Sequence, residues 1–288
     1  MDTLRIGTIE IVPLHDAVWR FTPTTFTPGV PLSSWSDYLE AEPGAWIGSR
    51  VLCFLVKTPA HLVLVDCGVG GWGTWSFGDG DLLTELEAVG VHPHEIDFVL
   101  ATHFHADHIG GAARPGADGP VLNFPNARHL VARGDWDHFT SPSYRSGPPS
   151  SNLSVITNVV VPLAEANLVD VVAPDHEITG GLSMFPTPGH TPGSTTVRNQ
   201  SGGDAALLIG DAAHHQVQLE NPDWSSVYDV DPNLAAESRR RIVAEAVRLK
   251  AFVAGAHFDV RSPVFAPMAL RGNSYCWSGN LEGGIDVQ

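Results

Sequence analysis

Basic residues are scarce in this chain. Its 288 residues include 16 Lys and Arg against 32 Asp and Glu, a formal net charge of −16. Gripping nucleic acid needs Lys/Arg clusters that neutralise phosphates, so no nucleic-acid partner is expected. One basic run exists, Arg239-Arg240-Arg241. It falls among Glu237 and Glu245 in a helical stretch and reads as a solvated face. Cysteine is nearly absent: Cys53, Cys67 and Cys276 are too few, and odd in number, for a disulfide framework. The expected compartment is therefore the reducing cytoplasm. Cys53 and Cys67 stand in apolar strands and read as small buried hydrophobes. No apolar run reaches membrane-spanning length, so no membrane partner is expected. Met1-Asp2-Thr3-Leu4-Arg5 lacks the basic run and apolar core of a secretory signal.

What the chain does have is a large apolar fraction, 43%, enough for one sizeable core. We read residues 1–288 as a single domain with an aromatic and Pro-rich insertion at about 20–49. Strand patterns are expected at Leu4–Leu14, Arg50–Val56, Leu62–Val65, His129–Val131, Leu182–Phe185, Thr195–Val197 and Ala205–Ile209. A short helix is expected at Leu82–Val89. Asn152–Asn167 carries helix and strand signals together. The clearest helix runs from Asn233 to Lys250, with Asp231 or Asn233 as cap, and Leu234, Ile242, Val243, Ala246 and Leu249 as its buried stripe. Strands and helices alternate, which gives an α/β class.

The chemistry concentrates in His103-Phe104-His105-Ala106-Asp107-His108. Imidazole nitrogen and carboxylate oxygen are ordinary ligands for zinc and similar ions. His103 and His105 are two apart, so at an extended strand end they point the same way. Asp107 and His108 follow where the chain turns, facing a second point nearby. Three later segments add donors: Thr187-Pro188-Gly189-His190, Leu207-Leu208-Ile209-Gly210-Asp211 and Phe252-Val253-Ala254-Gly255-Ala256-His257. The last two end apolar strands, and strand ends are where layered α/β proteins hold their sites.

This motif set, with Asp66 in Leu64-Val65-Asp66-Cys67-Gly68, resembles the metallo-β-lactamase-fold hydrolase superfamily from about Leu4 to His257. The resemblance implies an αββα four-layer sandwich of two mixed β-sheets flanked by helices. It implies two divalent ions, zinc first, with manganese, iron or cobalt accepted by the same donors. His103, His105 and His190 match the family's first metal site, and Asp107, His108 and His257 match the second. Asp211 matches the bridging carboxylate, and Asp66 matches the aspartate that orients a ligand from behind.

Gly210-Asp211-Ala212-Ala213-His214-His215 and Asp229-Val230-Asp231-Pro232 are similar to the methyl parathion hydrolase and lactonase branch. Many acyl-homoserine lactonases carry a tyrosine shortly after the bridging aspartate. His214 and His215 stand in that neighbourhood here, which points away from a homoserine-lactone substrate.

The expected reaction is hydrolysis of a lactone or carboxylic ester by a metal-activated hydroxide attacking the carbonyl. Asp107 and Asp211 are the expected catalytic carboxylates, and His214 is the expected substrate contact. Phe26, Trp35, Trp46, Phe104 and His215 are expected to line an apolar pocket for a small, neutral, hydrophobic substrate. A phosphotriesterase and a thioesterase or polyketide-tailoring hydrolase are the alternatives. The aromatic loop also offers a surface for a homodimer.

Overall fold

The computed structural model describes residues 3–40, 44–73, 78–272 and 274–280; residues 41–43 of the aromatic insertion and the C-terminal part of the 1–288 domain lie outside them. The first half of the chain supplies β1 (Leu4–Ile6), β2 (Ile9–Phe21), β3 (Ile47–Lys57), β4 (Leu62–Val65) and β5 (Phe98–Leu100). It continues with a small hairpin, β6 (Ala113–Arg114) and β7 (Val121–Leu122), then β8 (Arg128–Ala132) and β9 (Val169–Val172). The second half supplies β10 (Glu177–Thr179), β11 (Leu182–Pro186), β12 (Thr195–Ser201), β13 (Asp204–Leu208), β14 (Phe252–Ala254), β15 (Ala266–Arg271) and β16 (Ser274–Trp277).

These strands form two seven-stranded sheets, ordered β1-β2-β3-β4-β5-β8-β9 and β10 through β16 in sequence. Both are mixed: β4, β5, β8 and β9 run parallel, as do β13 and β14, while the flanking pairs are antiparallel. One apolar cluster joins the inner faces, with Ile11, Leu52, Val63 and Leu100 from the first sheet meeting Leu182, Met184, Val197 and Ala254 from the second. Separate clusters lie under the outer helices. Leu86, Val155, Ile156 and Val159 cover the first sheet, and Ile242 and Ala246 cover the second. This is the αββα sandwich implied by the motifs. Among the described residues no helix is long and apolar enough to cross a membrane. All three cysteines are free and buried.

Three local expectations change. The first long strand does not end near Leu14 but runs to Phe21 and pairs up to Ile47, with a register irregularity between His15 and Ala17. The irregular loop is shorter at both ends for that reason. The ambiguous stretch after Ser150 is helical, as Ser151–Val155, Ile156–Val160 and Val161–Glu165, with a π turn at its centre. Its β-branched residues gave the strand signal. Burial of Val155, Ile156, Val159 and Val160 against the first sheet overrides that preference. The long helix spans Pro232–Leu249, capped by Asp231, whose side chain accepts from the Leu234 N–H at 3.0 Å. Its buried face is Ala235, Ala236, Ser238, Arg239, Ile242 and Ala246; Leu234, Val243 and Leu249 are only partly covered. Arg239, read from sequence as solvated, is fully buried, because its guanidinium finds oxygen partners on the loops beneath the helix.

Candidate metal centre

The parallel strands aim their C-terminal ends at one edge of the sandwich. Asp66 follows β4, His103 follows β5, Asp211 follows β13 and His257 follows β14. His190 arrives in the turn between β11 and β12. That turn needs Gly189: its φ is +133°, and a Cβ there would lie 2.2 Å from the Ala235 nitrogen at the start of the long helix. Asp135 ties this turn to the histidine-rich loop. Its carboxylate accepts from the Phe104 N–H at 2.8 Å, the Gly193 N–H at 2.6 Å and the Thr191 hydroxyl at 3.0 Å.

Two sets of converging donors result, and a third group, His190, His214 and Asp229, overlaps the first. The ligand atoms of His103, His105, His190 and Asp211 lie within 4.8 Å of one another, and so do those of Asp107, His108 and His257. Asp211 stands between the sets. Its Oδ1 is 3.1 Å from His108 Nε2 and 3.2 Å from His257 Nε2. Its Oδ2 is 3.5 Å from His190 Nε2, 3.7 Å from His103 Nε2 and 3.2 Å from His214 Nε2.

The imidazoles are anchored from behind. His108 Nδ1 donates to Asp66 Oδ2 at 2.8 Å, and His257 Nδ1 donates to the Arg50 carbonyl at 2.7 Å. His190 Nδ1 faces Asp229 Oδ1 at 3.2 Å. Each of these contacts places the hydrogen on Nδ1 and turns the Nε2 lone pair into the site. Asp66 sits in the left-handed region, at φ +61°. It also accepts from the Thr102 N–H at 2.7 Å and the Thr102 hydroxyl at 2.8 Å.

A divalent cation fits this arrangement. His103 Nε2 is buried at its centre without a hydrogen-bond partner, a costly state unless something positive sits beside it. His105 Nδ1 and His190 Nε2 lie within hydrogen-bond distance of each other, at 2.8 Å, so the two rings converge on one point. Burial and the neighbouring imidazoles keep His103 well below the usual histidine range and His105 down at about 3, so both are neutral donors. Burial disfavours the charged form of His108 and His257 as well. Asp211 and Asp107 outweigh it at His257, taking it up to about 10, and Asp211, Asp66 and Asp107 outweigh it at His108, taking it well above its usual value. The same carboxylates that favour positive charge on these imidazoles would favour a cation at this place.

A cavity of about 370 Å³ opens on the cluster, lined by Asp107, Asp211, His214, Trp19, Tyr144 and Tyr228 among others. The aromatic expectations for its wall are corrected by the structure. Trp35 is fully buried in a satellite cluster with Phe21, Phe26 and Ile47, where it pins the insertion down. Phe104 is buried in the core under the first sheet. Trp46 is 37% exposed and away from the cavity. His215 points inward toward Asp259. Phe26 stands one layer back, packed against the His214 ring at 5.0 Å. His214 alone among these non-ligand expectations lies on the cavity wall. The wall residues missed from sequence, Trp19 on β2, Tyr144, Asn152 and Tyr228, lie far apart in the chain. Tyr228 was signalled only by its place beside Asp229-Val230-Asp231-Pro232.

Residues 46–257 match the metallo-beta-lactamase superfamily, and the chain belongs to it. An N-acyl homoserine lactonase of Bacillus sp is 24% identical over 234 residues, covering 75% of this chain and 84% of that protein. Among solved structures, the hydrolase AbOPH of the beta lactamase superfamily superposes with a TM-score of 0.82 at 25% identity, over 96% of this chain and 95% of its own. AidC, a dizinc quorum-quenching lactonase, superposes with a TM-score of 0.78 at 22% identity, over 96% and 95%.

Proposed function

We propose that this protein is a dinuclear-metal hydrolase that opens lactone rings, N-acyl homoserine lactones first among them. The observation that carries the reading is the single carboxylate, Asp211, set between two donor groups at the floor of an apolar cavity. His103, His105 and His190 would hold one ion, and Asp107, His108 and His257 the other, with Asp211 shared between them. Zinc suits this nitrogen-rich donor set, and manganese, iron and cobalt are compatible with it. When bound, such ions polarise a carbonyl and lower the pKa of water from about 15.7 to about 7, which makes hydroxide available near neutral pH.

The chain's own residues supply the remainder. Asp107 reaches the cavity with its side chain 19% exposed and its Oδ2 3.3 Å from His257 Nε2. Besides its ligand role, it takes the proton of the attacking water and returns it to the leaving ring oxygen. His214 and Tyr228 line the same space, and their imidazole and phenol are the groups assigned to hydrogen-bond the substrate carbonyl. Tyr228 places a phenol there although no tyrosine closely follows Asp211, which removes the sequence objection to a homoserine lactone. The apolar lining suits a neutral acyl chain. The N-acyl homoserine lactonase of Bacillus sp and the lactonase AidC support this substrate class.

The same proposal keeps one domain, supported by the apolar cluster shared between the sheets, and a cytoplasmic setting, supported by the free buried cysteines. A homodimer through the aromatic loop is supported by exposed Leu32 and Trp46, and sedimentation tests it. The activity is tested by proton release on one matched panel: a long-chain acyl-homoserine lactone, an aromatic lactone, an aryl ester, an acyl thioester and an aryl phosphotriester. A lactone leading in kcat/KM by decades is the expected result. A leading phosphotriester or thioester would overturn the substrate class and leave the metal centre standing.

A further inference from the structure

Among the described residues, Arg239 is one of the most deeply enclosed charges outside the donor cluster. It is fully buried on the long helix, and its guanidinium reaches three separate segments. Nε donates to the Pro222 carbonyl at 2.7 Å, and Nη2 to Ser225 Oγ at 2.9 Å. Nη1 donates to Asp229 Oδ2 at 3.3 Å and to the Ala212 carbonyl at 3.2 Å. Both Nη1 contacts lead straight to the centre. Asp229 Oδ1 faces His190 Nδ1 at 3.2 Å, and Ala212 is the residue after Asp211. The loop between them is stitched to the His190 turn by backbone bonds as well: Val230 N–H donates to the His190 carbonyl at 3.1 Å, and Asp231 N–H to the Gly189 carbonyl at 2.8 Å.

A guanidinium presents several donors in a fixed plane, so it can fix distances between segments that a single point charge cannot. A buried ion pair is weak evidence for stability by itself, because desolvation offsets the attraction. Arg239 and Asp229 both have side chains with no exposure. Their placement behind a ligand and behind the shared carboxylate calls for another reason. We propose that Arg239 is a positioning residue for metal loading: through Asp229 it sets the orientation of His190, and through Ala212 it sets the turn that carries Asp211. The inference rests on the dinuclear reading given above.

The test uses the full chain with Arg239→Gln, Arg239→Lys, Asp229→Asn and the double variant Arg239→Gln/Asp229→Asn. Arg240→Gln, an exposed neighbour paired with Asp223, is the control. Three quantities are read: zinc affinity by competition with a chromogenic chelator, the absorption spectrum of the cobalt-loaded protein, and the melting temperature of the metal-free protein. Outer partners of ligands are typically worth about 10–100-fold in metal affinity. Arg239→Gln is expected to weaken the ion held by His103, His105 and His190 by that order and, through the shared Asp211, the other ion by less, with a changed cobalt spectrum. Arg239→Lys is expected not to restore either. Because Arg239 acts through Asp229, the double variant should lose less than the product of the single losses. Should Arg239→Gln fail to fold, Arg239→Lys and Asp229→Asn carry the test alone. A lowered metal-free melting temperature with both zinc affinities unchanged would mean that the residue only supports the fold, and would overturn the proposal. Wild-type protein that binds no zinc would overturn the dinuclear reading, and this inference with it.

Discussion

Replacing Asp66 by Asn tests the geometry with little disturbance of shape. Asp66 holds a left-handed backbone conformation, which Asn tolerates and Ala does not, so the change isolates the side chain. Three donors meet the Asp66 carboxylate: the Thr102 N–H at one oxygen, and the Thr102 hydroxyl and His108 Nδ1 at the other. In Asn the carbonyl can still accept from the Thr102 N–H. The amide NH2 then faces the remaining two donors. The Thr102 hydroxyl can rotate and become an acceptor. His108 cannot accept at Nδ1 without moving its hydrogen to Nε2, and that removes the lone pair aimed at the centre. One ligand is therefore lost or paid for with a buried donor facing a donor, about 1–3 kcal/mol. A 10–100-fold loss of metal affinity corresponds to about 1.4–2.8 kcal/mol, the same order. Chelator competition on Asp66→Asn should show one ion held normally and one weakened by that factor, with a modest fall in metal-free stability. Two ions held at wild-type affinity would refute the claim that Asp66 sets the His108 tautomer.

Further outcomes follow from the same structure. Asp211→Ala should lower metal content and turnover together; full occupancy by two ions with near-normal turnover would contradict a shared carboxylate, and elemental analysis beside kinetics decides it. Tyr228→Phe should reduce kcat/KM on a lactone about tenfold with metal content unchanged, since one hydrogen bond to substrate is worth about 1 kcal/mol or somewhat more; unchanged kinetics would remove Tyr228 from the substrate contacts. His129 lies buried on β8, and burial holds it down at about 4 despite its bond to the Phe124 backbone. A depressed histidine contributes stability above its unfolded value, near 6.5, that is lost as pH falls toward 4. The full contribution is about 3 kcal/mol. Denaturant unfolding of His129→Gln should therefore lose less stability than wild type between pH 6.5 and 4, and parallel curves would contradict the assignment. Phe124→Ala, at a side chain with no exposure, should cost about 3–5 kcal/mol of stability.

The donors were legible in sequence because chemistry restricts them. Few side chains bind metal, so His103, His105, Asp107, His108, His190, Asp211 and His257 stand out wherever strands end, and the structure brings all seven to one edge. The cavity wall was not legible. Trp35 and Phe104 have the composition of a pocket, but which aromatic faces a cavity and which fills a core depends on contacts between distant segments. Trp19 and Tyr144 come from β2 and from a short helix well beyond β8, and only folding makes them neighbours of Asp211. Arg239 fails for a similar reason. A basic triplet on a helix is usually solvated, and the oxygens that bury this one come from Ala212, Pro222, Ser225 and Asp229. The π turn after Val155 likewise depends on the sheet beneath it rather than on local preference.

The most direct test of the central claim is zinc content measured alongside hydrolysis of a long-chain N-acyl homoserine lactone, before chelation, after chelation and after zinc is restored. Two ions per chain are expected, with turnover abolished on their removal and recovered on their return. Turnover that survives complete loss of metal, or a zinc-loaded chain inert toward every lactone offered, would contradict the claim.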